Sequence, residues 1–224
     1  MKKPMKHFSI AIDGPAGAGK STIAKALAKQ LSYIYVDTGA MYRAMALFFL
    51  RKGISPDDNT QIATACLEAE VTIEYENGEQ VVLLNGENVN GLIRTEEVSR
   101  MTSATSVNKV VRMKLVDLQR KLAEQADVVM DGRDIGTYVL PEADVKVYLT
   151  ASVEERARRR FEEQKARGVD CDIKEIEENI KERDERDMTR DFAPLRKAED
   201  AVYLDCSDMT PEEVISALLI LCEK

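Results

Sequence analysis

The chain has 224 residues, a formal net charge of −8, a pI near 5.0 and 44% apolar residues. These values predict one sizeable folded domain and exclude extensive disorder. The acidic balance disfavours nonspecific binding to nucleic acid or to an anionic membrane. No stretch approaches 18 uninterrupted apolar residues and the start of the chain lacks a signal-peptide core, so we expect a cytoplasmic protein whose partners are small and soluble.

The cysteines and the single histidine exclude several kinds of site. Cys66, Cys171, Cys206 and Cys222 are widely separated and include no Cys-x-x-Cys pair, so we expect packing residues rather than a zinc site or a disulfide framework. His7 precedes the first predicted strand, where we expect a solvated side chain. One histidine excludes most nucleophilic triads and multi-histidine metal sites.

A short apolar run at 8–13 predicts a buried strand, and it leads into a glycine-rich loop that is followed by apolar positions at helical spacing. The loop matches Gly-x-x-x-x-Gly-Lys-Ser/Thr with one further hydroxyl, and its residues are Gly14, Pro15, Ala16, Gly17, Ala18, Gly19, Lys20, Ser21 and Thr22. Such a loop turns backbone N–H groups toward a polyphosphate at the positive end of a helix. We predict Lys20 at the β and γ phosphates, Ser21 on Mg²⁺, and a further contact from Thr22. A chance glycine-rich turn is the alternative.

A second short strand is predicted at 33–36, and it ends in Asp37-Thr38-Gly39-Ala40-Met41-Tyr42-Arg43. Ligands of open parallel α/β sheets lie outside the carboxyl ends of the strands, so we expect Thr38 and Arg43 near the phosphate loop. A solvated helix position is the alternative for Arg43. Gly53 is expected to end this helix, and the turn-rich segment 55–59 leads to another short helix.

Between Val71 and Val89 the apolar period changes to that of strands. Asn77-Gly78 and Asn85-Gly86 separate three short runs, which predicts a three-stranded antiparallel meander. We expect an insertion that forms a small lobe beside the main sheet. An edge hairpin with no ligand role is the alternative. Helices are expected at about 96–102 and 107–126.

The second half of the chain predicts three more strands, at 128–131, 145–149 and 201–205, which complete a five-stranded parallel sheet. The first of them ends at Asp131, which is placed to act near Mg²⁺ directly or through water. It continues as Gly132-Arg133-Asp134-Ile135-Gly136, so an arginine and a second carboxylate follow at the strand end.

Two charged helices are predicted between the last two strands. A capping box at 152–155 opens the first, which is either a solvated face or a mobile lid; its arginines are Arg156, Arg158, Arg159 and Arg160. The second contains three arginines whose spacing predicts one shared face, with Asp187 one turn from the first of them; these are Arg183, Arg186 and Arg190. A capping box at 210–213, with proline at the first helical position, opens the C-terminal helix.

A phosphate loop is shared by kinases, regulatory GTPases and ATPases, so other segments decide the class. No glycine has an aspartate three residues before it, and Asn108-Lys109-Val110-Val111 lacks the last aspartate of a GTPase base reader. Nothing indicates the polymer-binding or oligomer-forming surface of a partitioning or remodelling ATPase. Arginines on several segments instead favour a kinase with a second anionic substrate.

Together these motifs resemble the bacterial cytidylate kinases, in the nucleoside monophosphate kinase family. The resemblance runs from the first strand to the last helix and rests on 14–22, 37–43, 131–136, 181–184 and 186–187. The meander strengthens it, because these kinases carry such an insertion in the lobe that binds the monophosphate and adenylate kinases do not.

The resemblance implies an α/β P-loop kinase fold, with helices flanking the five-stranded parallel sheet and with the small antiparallel β insertion. It implies one domain, 1–224, with a monophosphate-binding lobe at about 60–104 and a lid at about 152–170. The implied reaction transfers the γ-phosphoryl group of ATP, with Mg²⁺, to CMP or dCMP and gives ADP and CDP or dCDP. The implied protein is a cytoplasmic monomer of pyrimidine nucleotide metabolism with no nucleic-acid or membrane partner.

The resemblance also implies residue roles. The phosphate or sugar of the monophosphate is contacted by Thr38, Arg43, Arg133, Arg183 and Arg190, with Asp187 near the ribose. Ser103, Arg112 and Asp134 resemble the cytosine readers of the family, and Arg158 and Arg160 resemble lid arginines that close over the transferring phosphate. The implied catalytic set is Lys20, Arg133, Asp134, Arg158, Arg160, Arg183 and Arg190.

Two positions depart from the pattern of the family, and one role stays open. Thr38 stands where other members have serine but keeps the hydroxyl. Met188-Thr189 replaces a more basic turn, and we assign it no role. The alternative for Asp134 is that it only orients Arg133 or a water on Mg²⁺.

Overall fold

The structure, a computed structural model, describes residues 7–166 and 168–223. Residues 1–6, before the first predicted strand, and residue 167, in the predicted lid, lie outside the described residues. The contacts within the chain divide it into two compact units. Of the described residues, unit 1 comprises residues 7 and 34–128, and unit 2 comprises residues 8–33, 129–166 and 168–223.

The strands, numbered along the chain, are β1 (Ser9–Asp13), β2 (Ile34–Asp37), β3 (Val71–Glu76), β4 (Glu79–Leu84), β5 (Glu87–Asn88), β6 (Val128–Gly132), β7 (Val145–Thr150) and β8 (Val202–Asp205). Five of them form the predicted parallel sheet, in the order β2-β6-β1-β7-β8. The other three form a separate antiparallel sheet, in the order β3-β4-β5. The predicted fold class is therefore confirmed.

The helices alternate with the strands of the parallel sheet. They are α1 (Lys20–Leu31), α2 (Thr38–Arg51), α3 (Asn59–Glu68), α4 (Glu96–Thr105), α5 (Lys109–Gln125), α6 (Val153–Ala166), α7 (Ile173–Thr189) and α8 (Pro211–Cys222), with a short π-helix at Ile135–Val139. Within the described residues, no helix is long and apolar enough to cross a membrane.

The strands β1 and β6 are buried at every position, as expected where helices cover both faces of a parallel sheet. In unit 2, β1 pairs in parallel with β7, with Ile10 opposite Val145 and Asp13 opposite Tyr148. The strand β7 pairs in turn with β8, which lies at the edge of the sheet and is mostly exposed. This register fixes the end of β1, and therefore the start of the phosphate loop, against the end of β7.

In unit 1, the meander has the predicted turns. Pairing of β3 with β4 runs from Val71–Leu84 to Glu76–Glu79, so Asn77-Gly78 is a two-residue hairpin loop. Both of its residues have positive φ, 53° and 79°, and Asn85-Gly86 has φ values of 50° and 81°. Positive φ at both positions is the geometry that favours Asn-Gly in tight hairpins.

Only one of the two predicted capping boxes is complete. At α8, Thr210 Oγ1 accepts the N–H of Glu213 at 3.3 Å, and Glu213 Oε2 accepts the N–H of Thr210 at 2.8 Å. At α6, Ser152 Oγ accepts the N–H of Glu155 at 3.1 Å. The Glu155 carboxylate, however, accepts hydrogen bonds from Arg158 and Arg159. The N–H of Ser152 donates instead to Ser207 Oγ at 2.9 Å, so the second half of that box is a wrong prediction.

The surroundings of His7 differ from the prediction, and those of the cysteines agree with it. His7 is half-buried, and its Nδ1 lies 3.3 Å from Asp127 Oδ1, so the prediction of a solvated side chain was wrong. The four cysteines are free thiols that are buried or half-buried, as expected of packing residues.

We expect Gly14→Ala to lower the free energy of unfolding by at least about 3 kcal/mol or to prevent folding. A Cβ at Gly14 would lie 1.9 Å from the carbonyl oxygen of Leu149, which is backbone of β7 and cannot rotate away. Urea unfolding at equilibrium measures the change. Gly91→Ala is the control, because a Cβ there meets no atom within 4 Å; equal stability of the two variants would contradict the prediction.

Candidate active site

The phosphate loop follows β1 directly and leads into α1. Gly17 and Gly19 have φ values of 78° and 84°, in the left-handed region that glycine adopts without strain. Gly19 is the N-cap of α1, so the helix begins with backbone N–H groups that no capping side chain satisfies. The helix N-terminus and the glycine backbone therefore form the anion-binding arrangement that the motif predicts.

Lys20 is buried, and its Nζ donates a hydrogen bond to the carbonyl of Pro15 at 2.6 Å. Burial lowers the pKa of Lys20 well below its ordinary value; the charge of Arg133 lowers it further, while Asp131 opposes the shift. An anionic phosphate beside the amine would favour its charged form. Lys20 is thus held inside the loop next to the place where the motif expects phosphate oxygens.

Ser21 and Asp131, the two predicted metal-site residues, lie in contact. Ser21 Oγ donates a hydrogen bond to Asp131 Oδ2 at 2.9 Å, which joins the start of α1 to the end of β6. A hydroxyl and a carboxylate are oxygen ligands of the kind that Mg²⁺ prefers, and Mg²⁺ takes its other ligands from phosphates and water. The two side chains therefore fit a magnesium ion that arrives with a nucleotide.

The first half of the loop is held by two side chains that the sequence did not indicate. Ala16 donates its N–H to Asp184 Oδ1 at 3.4 Å, and its carbonyl accepts a hydrogen bond from Arg156 Nη1 at 3.0 Å. Pro15 has no N–H and offers its carbonyl to Lys20. Pro15 and Ala16 thus fix the first half of the loop through hydrogen bonds to side chains. The left-handed backbone conformation begins at Gly17.

A second cluster in unit 2 joins four of the predicted acceptor-binding residues. Arg133 Nε donates to Asp187 Oδ2 at 2.9 Å. Arg190 lies 3.4 Å from Asp134 Oδ1 and 3.8 Å from Asp187 Oδ1. Burial alone would lower the pKa of Arg133, but the charge of Asp187 and its hydrogen bond raise it. Burial would raise the pKa of Asp187, but the charges of Arg133 and Arg183 lower it. These two groups therefore hold their charges at neutral pH.

The shared helix face predicted for Arg183, Arg186 and Arg190 is wrong for Arg190 alone. Arg183 and Arg186 lie three residues apart within α7, as predicted; Arg183 is half-buried and Arg186 is exposed. Arg190 follows the end of the helix with an extended backbone, and its guanidinium binds the carbonyl of Ala193. Its place in the cluster therefore depends on the chain after α7 and not on helical spacing.

The predicted lid arginines lie on the exposed side of α6. Arg158 donates to Glu155 at 2.8 Å and to Glu162 at 2.6 Å, and Arg160 is exposed. The hydrogen bond from Arg158 is the main cause that lowers the pKa of Glu155 to about 2. Exposed ion pairs of this kind contribute only about 0–1 kcal/mol each. Arg158 can therefore leave its partners for a phosphate at small cost.

In unit 1, Asp37 organises the segment that contains Thr38 and Arg43. Asp37 Oδ1 caps α2 by accepting the N–H of Ala40 at 2.8 Å, and its Oδ2 accepts from Arg43 at 2.9 Å. Gln80, on β4, binds the N–H of Asp37 at 2.8 Å and its carbonyl at 3.3 Å through its side-chain amide. Asp37 could be found from its N-cap position, but nothing in the local sequence marks Gln80.

The two remaining base-reading candidates also lie in unit 1. Arg112 is fully buried on α5, with its guanidinium carbon 5.3 Å from the centroid of the Tyr42 ring and its Nη1 donating to Ser106 O at 3.1 Å. Ser103 is half-buried near the end of α4. Arg112 is therefore a fixed cation rather than a mobile surface side chain.

Comparison with known proteins identifies the family. The family model described as cytidylate kinase matches residues 10–224, a range that includes every candidate site residue named above. The chain belongs to the cytidylate kinase family. A protein named cytidylate kinase from Caldicellulosiruptor bescii is 52% identical over 98% of this chain and 97% of its own length. Another, from Geobacter sulfurreducens, is 49% identical over 93% of this chain and 90% of its own length.

A solved structure agrees with the fold. An uncharacterized protein from Eubacterium ventriosum gives a TM-score of 0.55 at 14% identity and covers 97% of this chain and 99% of its own. Similarity at this level of identity concerns the fold alone. The kinase class expected from the motifs, and the resemblance to cytidylate kinases, are confirmed by the family match.

One buried carboxylate joins the phosphate loop to the segment after β6. Asp13, the residue before Gly14, accepts the backbone N–H groups of Ile135 and Gly136, both at 2.7 Å. Burial raises the pKa of Asp13 to about 7, although the two backbone hydrogen bonds oppose the shift. These two hydrogen bonds fix the backbone immediately after Asp134. The position of Asp134 in this member of the cytidylate kinase family therefore depends on Asp13, at the end of β1.

We expect Asp13 to make stability depend on pH. An unfolded aspartate titrates near 3.8, so between that pH and about 7 only the folded state keeps the proton, and stability falls as pH rises. The free energy of unfolding of the wild type, relative to Asp13→Asn, should fall by roughly 2 kcal/mol between about pH 5 and about pH 7.5. Urea unfolding at several pH values measures this; a difference that does not change with pH would contradict the raised pKa.

Proposed function

We propose that this chain transfers the γ-phosphoryl group of ATP to CMP or dCMP and releases ADP and CDP or dCDP. The proposal rests on one observation: the match to the cytidylate kinase family runs over nearly the whole chain and includes all the candidate residues. We propose further that the enzyme acts as a cytoplasmic monomer, with no nucleic-acid or membrane partner.

ATP is proposed to bind along the loop from Gly14 to Thr22. In that state Lys20 leaves the carbonyl of Pro15 and takes phosphate oxygens as its partners, which replaces a hydrogen bond to a neutral carbonyl by hydrogen bonds to an anion. Ser21 and Asp131 are the residues that would hold Mg²⁺, with Asp131 acting directly or through water. The ion supplies positive charge to the phosphate oxygens of the nucleotide.

The acceptor monophosphate is proposed to be bound by the arginines, hydroxyls and carboxylates that the resemblance assigns to it. Arg43 supports this role, because its Nε is buried and has no hydrogen-bond partner among the described residues. A buried donor without a partner is costly, and a phosphate oxygen would satisfy it. The residues assigned to the phosphate and sugar are Thr38, Arg43, Arg133, Arg183, Asp187 and Arg190. Ser103, Arg112 and Asp134 are assigned to the cytosine base.

Phosphoryl transfer from ATP to the monophosphate requires no covalent intermediate with the protein. An acceptor phosphate oxygen is already a nucleophile at pH 7, so no general base is required, and alignment with charge neutralisation supplies the rate. Lys20, Arg133, Arg183 and Arg190 are assigned to the charge on the transferring phosphoryl oxygens. Arg158 and Arg160 join them when the lid, at about 152–170, closes and excludes water, and the lobe at about 60–104 moves with the monophosphate.

We expect a coupled ADP-release assay to show strong turnover with CMP and dCMP and little with UMP, AMP, GMP or shikimate. Lys20→Met should reduce turnover by roughly 10²-fold or more, because a positioned cation at the developing charge is lost. Lys29→Met, an exposed change in the last turn of α1, is the matched control. ATP hydrolysis that no monophosphate stimulates, or full activity of Lys20→Met, would overturn the proposal.

Base choice is expected to depend on Asp134. Cytosine presents an N4 amino donor where uracil presents an acceptor, so a carboxylate there favours CMP by about 1–3 kcal/mol per contact. An asparagine can turn either its oxygen or its NH₂ group toward the base. Asp134→Asn should therefore lower kcat/KM for CMP and narrow the CMP to UMP ratio by roughly tenfold or more.

The assay for Asp134→Asn needs both substrates and a control. Asp117→Asn, an exposed change on α5, should leave the CMP to UMP ratio unchanged. Asp134 also lies 3.4 Å from Arg190, so a purely orienting role is the competing explanation. In that case the activities on CMP and UMP fall together, and a constant ratio would remove Asp134 from the base readers.

A further inference from the structure

Two buried charged side chains contact the phosphate loop and have no part in the reaction as proposed above. Arg156 lies in the first turn of α6 and is 4% exposed, and Asp184 lies on α7 and is 8% exposed. Arg156 Nη1 and Asp184 Oδ2 are 2.6 Å apart. Burying an ion pair costs desolvation that its attraction often fails to repay, so the pair is weak evidence for a role in stability alone.

The pair holds one peptide of the phosphate loop from both sides. Arg156 Nη1 donates to the carbonyl of Ala16 at 3.0 Å, and Asp184 Oδ1 accepts the N–H of Ala16 at 3.4 Å. Arg156 Nε also donates to the carbonyl of Ala151, just after β7, at 2.9 Å. The contact is close, since a Cβ at Gly17 would lie 3.3 Å from the Cβ of Arg156. The orientation of the Ala16 peptide is therefore set by both α6 and α7.

These two helices also carry arginines assigned to the transferring phosphate. Arg158 and Arg160 follow Arg156 within about one turn of α6, and Arg183 is the neighbour of Asp184. A shift of Arg156 or Asp184 would move these arginines relative to the loop. All the residues concerned lie in unit 2.

We propose that Arg156 and Asp184 form a positioning pair that keeps the phosphate loop and the arginines of α6 and α7 in register during phosphoryl transfer. This inference rests on the proposed function. Misplacement of reacting groups by about 1 Å can cost 10²-fold in rate. Loss of the pair therefore lowers kcat. The affinity for ATP changes little, because the backbone from Gly17 to Thr22 that binds the phosphates is intact.

The test is a double variant, Arg156→Met with Asp184→Leu, which removes both charges together and leaves no unpaired buried ion. Replacement of a buried pair by apolar residues of similar volume is commonly neutral or stabilising. We expect Tm to stay within about 4 °C of the wild type, kcat with ATP and CMP to fall by about 30-fold or more, and the Kd for ATP to change by less than about threefold. Arg51→Met with Glu87→Leu makes the same exchange in an exposed pair of unit 1 and is the control.

Each result has a defined meaning. A folded double variant with wild-type kcat, or with unchanged kcat and weakened ATP binding, overturns the positioning role. If the double variant does not fold, Tm, kcat and the Kd for ATP are measured for Arg156→Lys and judged against the same limits. Lysine keeps the positive charge but lacks the planar guanidinium group that donates to Ala151, Ala16 and Asp184 together. A wild type that binds ATP but does not phosphorylate CMP would instead count against the proposed function.

Discussion

The local structure of the site depends on carboxylates that are buried where strands end. A buried carboxyl group is tolerated only where it is hydrogen-bonded, paired with a cation or protonated. Asp13, at the end of β1, therefore takes the N–H groups of Ile135 and Gly136. Asp131, in β6, takes the hydroxyl of Ser21, and Asp37, at the end of β2, takes the N–H of Ala40 and the guanidinium of Arg43. Each carboxylate thus fixes the segment that carries candidate ligand-binding groups.

The same constraint explains how an acidic chain can present cations to anionic substrates. Two half-buried arginines of the site are paired with carboxylates: Arg133 with Asp187, and Arg43 with Asp37. The guanidinium groups lose part of their hydration when the protein folds and not when a phosphate binds. They are therefore already oriented before a phosphate arrives. A net charge of −8 is therefore compatible with phosphate binding, because the local arrangement of charges decides it.

Features that local sequence patterns encode were predictable. The strand-loop-helix unit at Gly14 to Thr22, the Asn-Gly turns and the capping box at Thr210 depend on a few neighbouring residues, and the structure has all three. Contacts between distant positions were not predictable. The hydrogen bonds of Gln80 to Asp37 span 43 residues, and that of Arg156 to Ala16 spans 140. Periodicity also misplaced Arg190, because α7 ends one residue earlier.

The insertion contributes more to unit 1 than an edge hairpin would. Its strand β4 places Gln80 so that one amide group binds both the N–H and the carbonyl of Asp37, and Tyr75 of β3 donates its hydroxyl to the carbonyl of Tyr35 at 3.1 Å. The backbone at the end of β2 is thus held on one side by the meander and on the other by the cap of α2. Thr38 begins that helix and Arg43 lies in its second turn. A movement of the meander would therefore displace the backbone at the end of β2 and the start of α2, where the proposed function places two contacts to the acceptor phosphate.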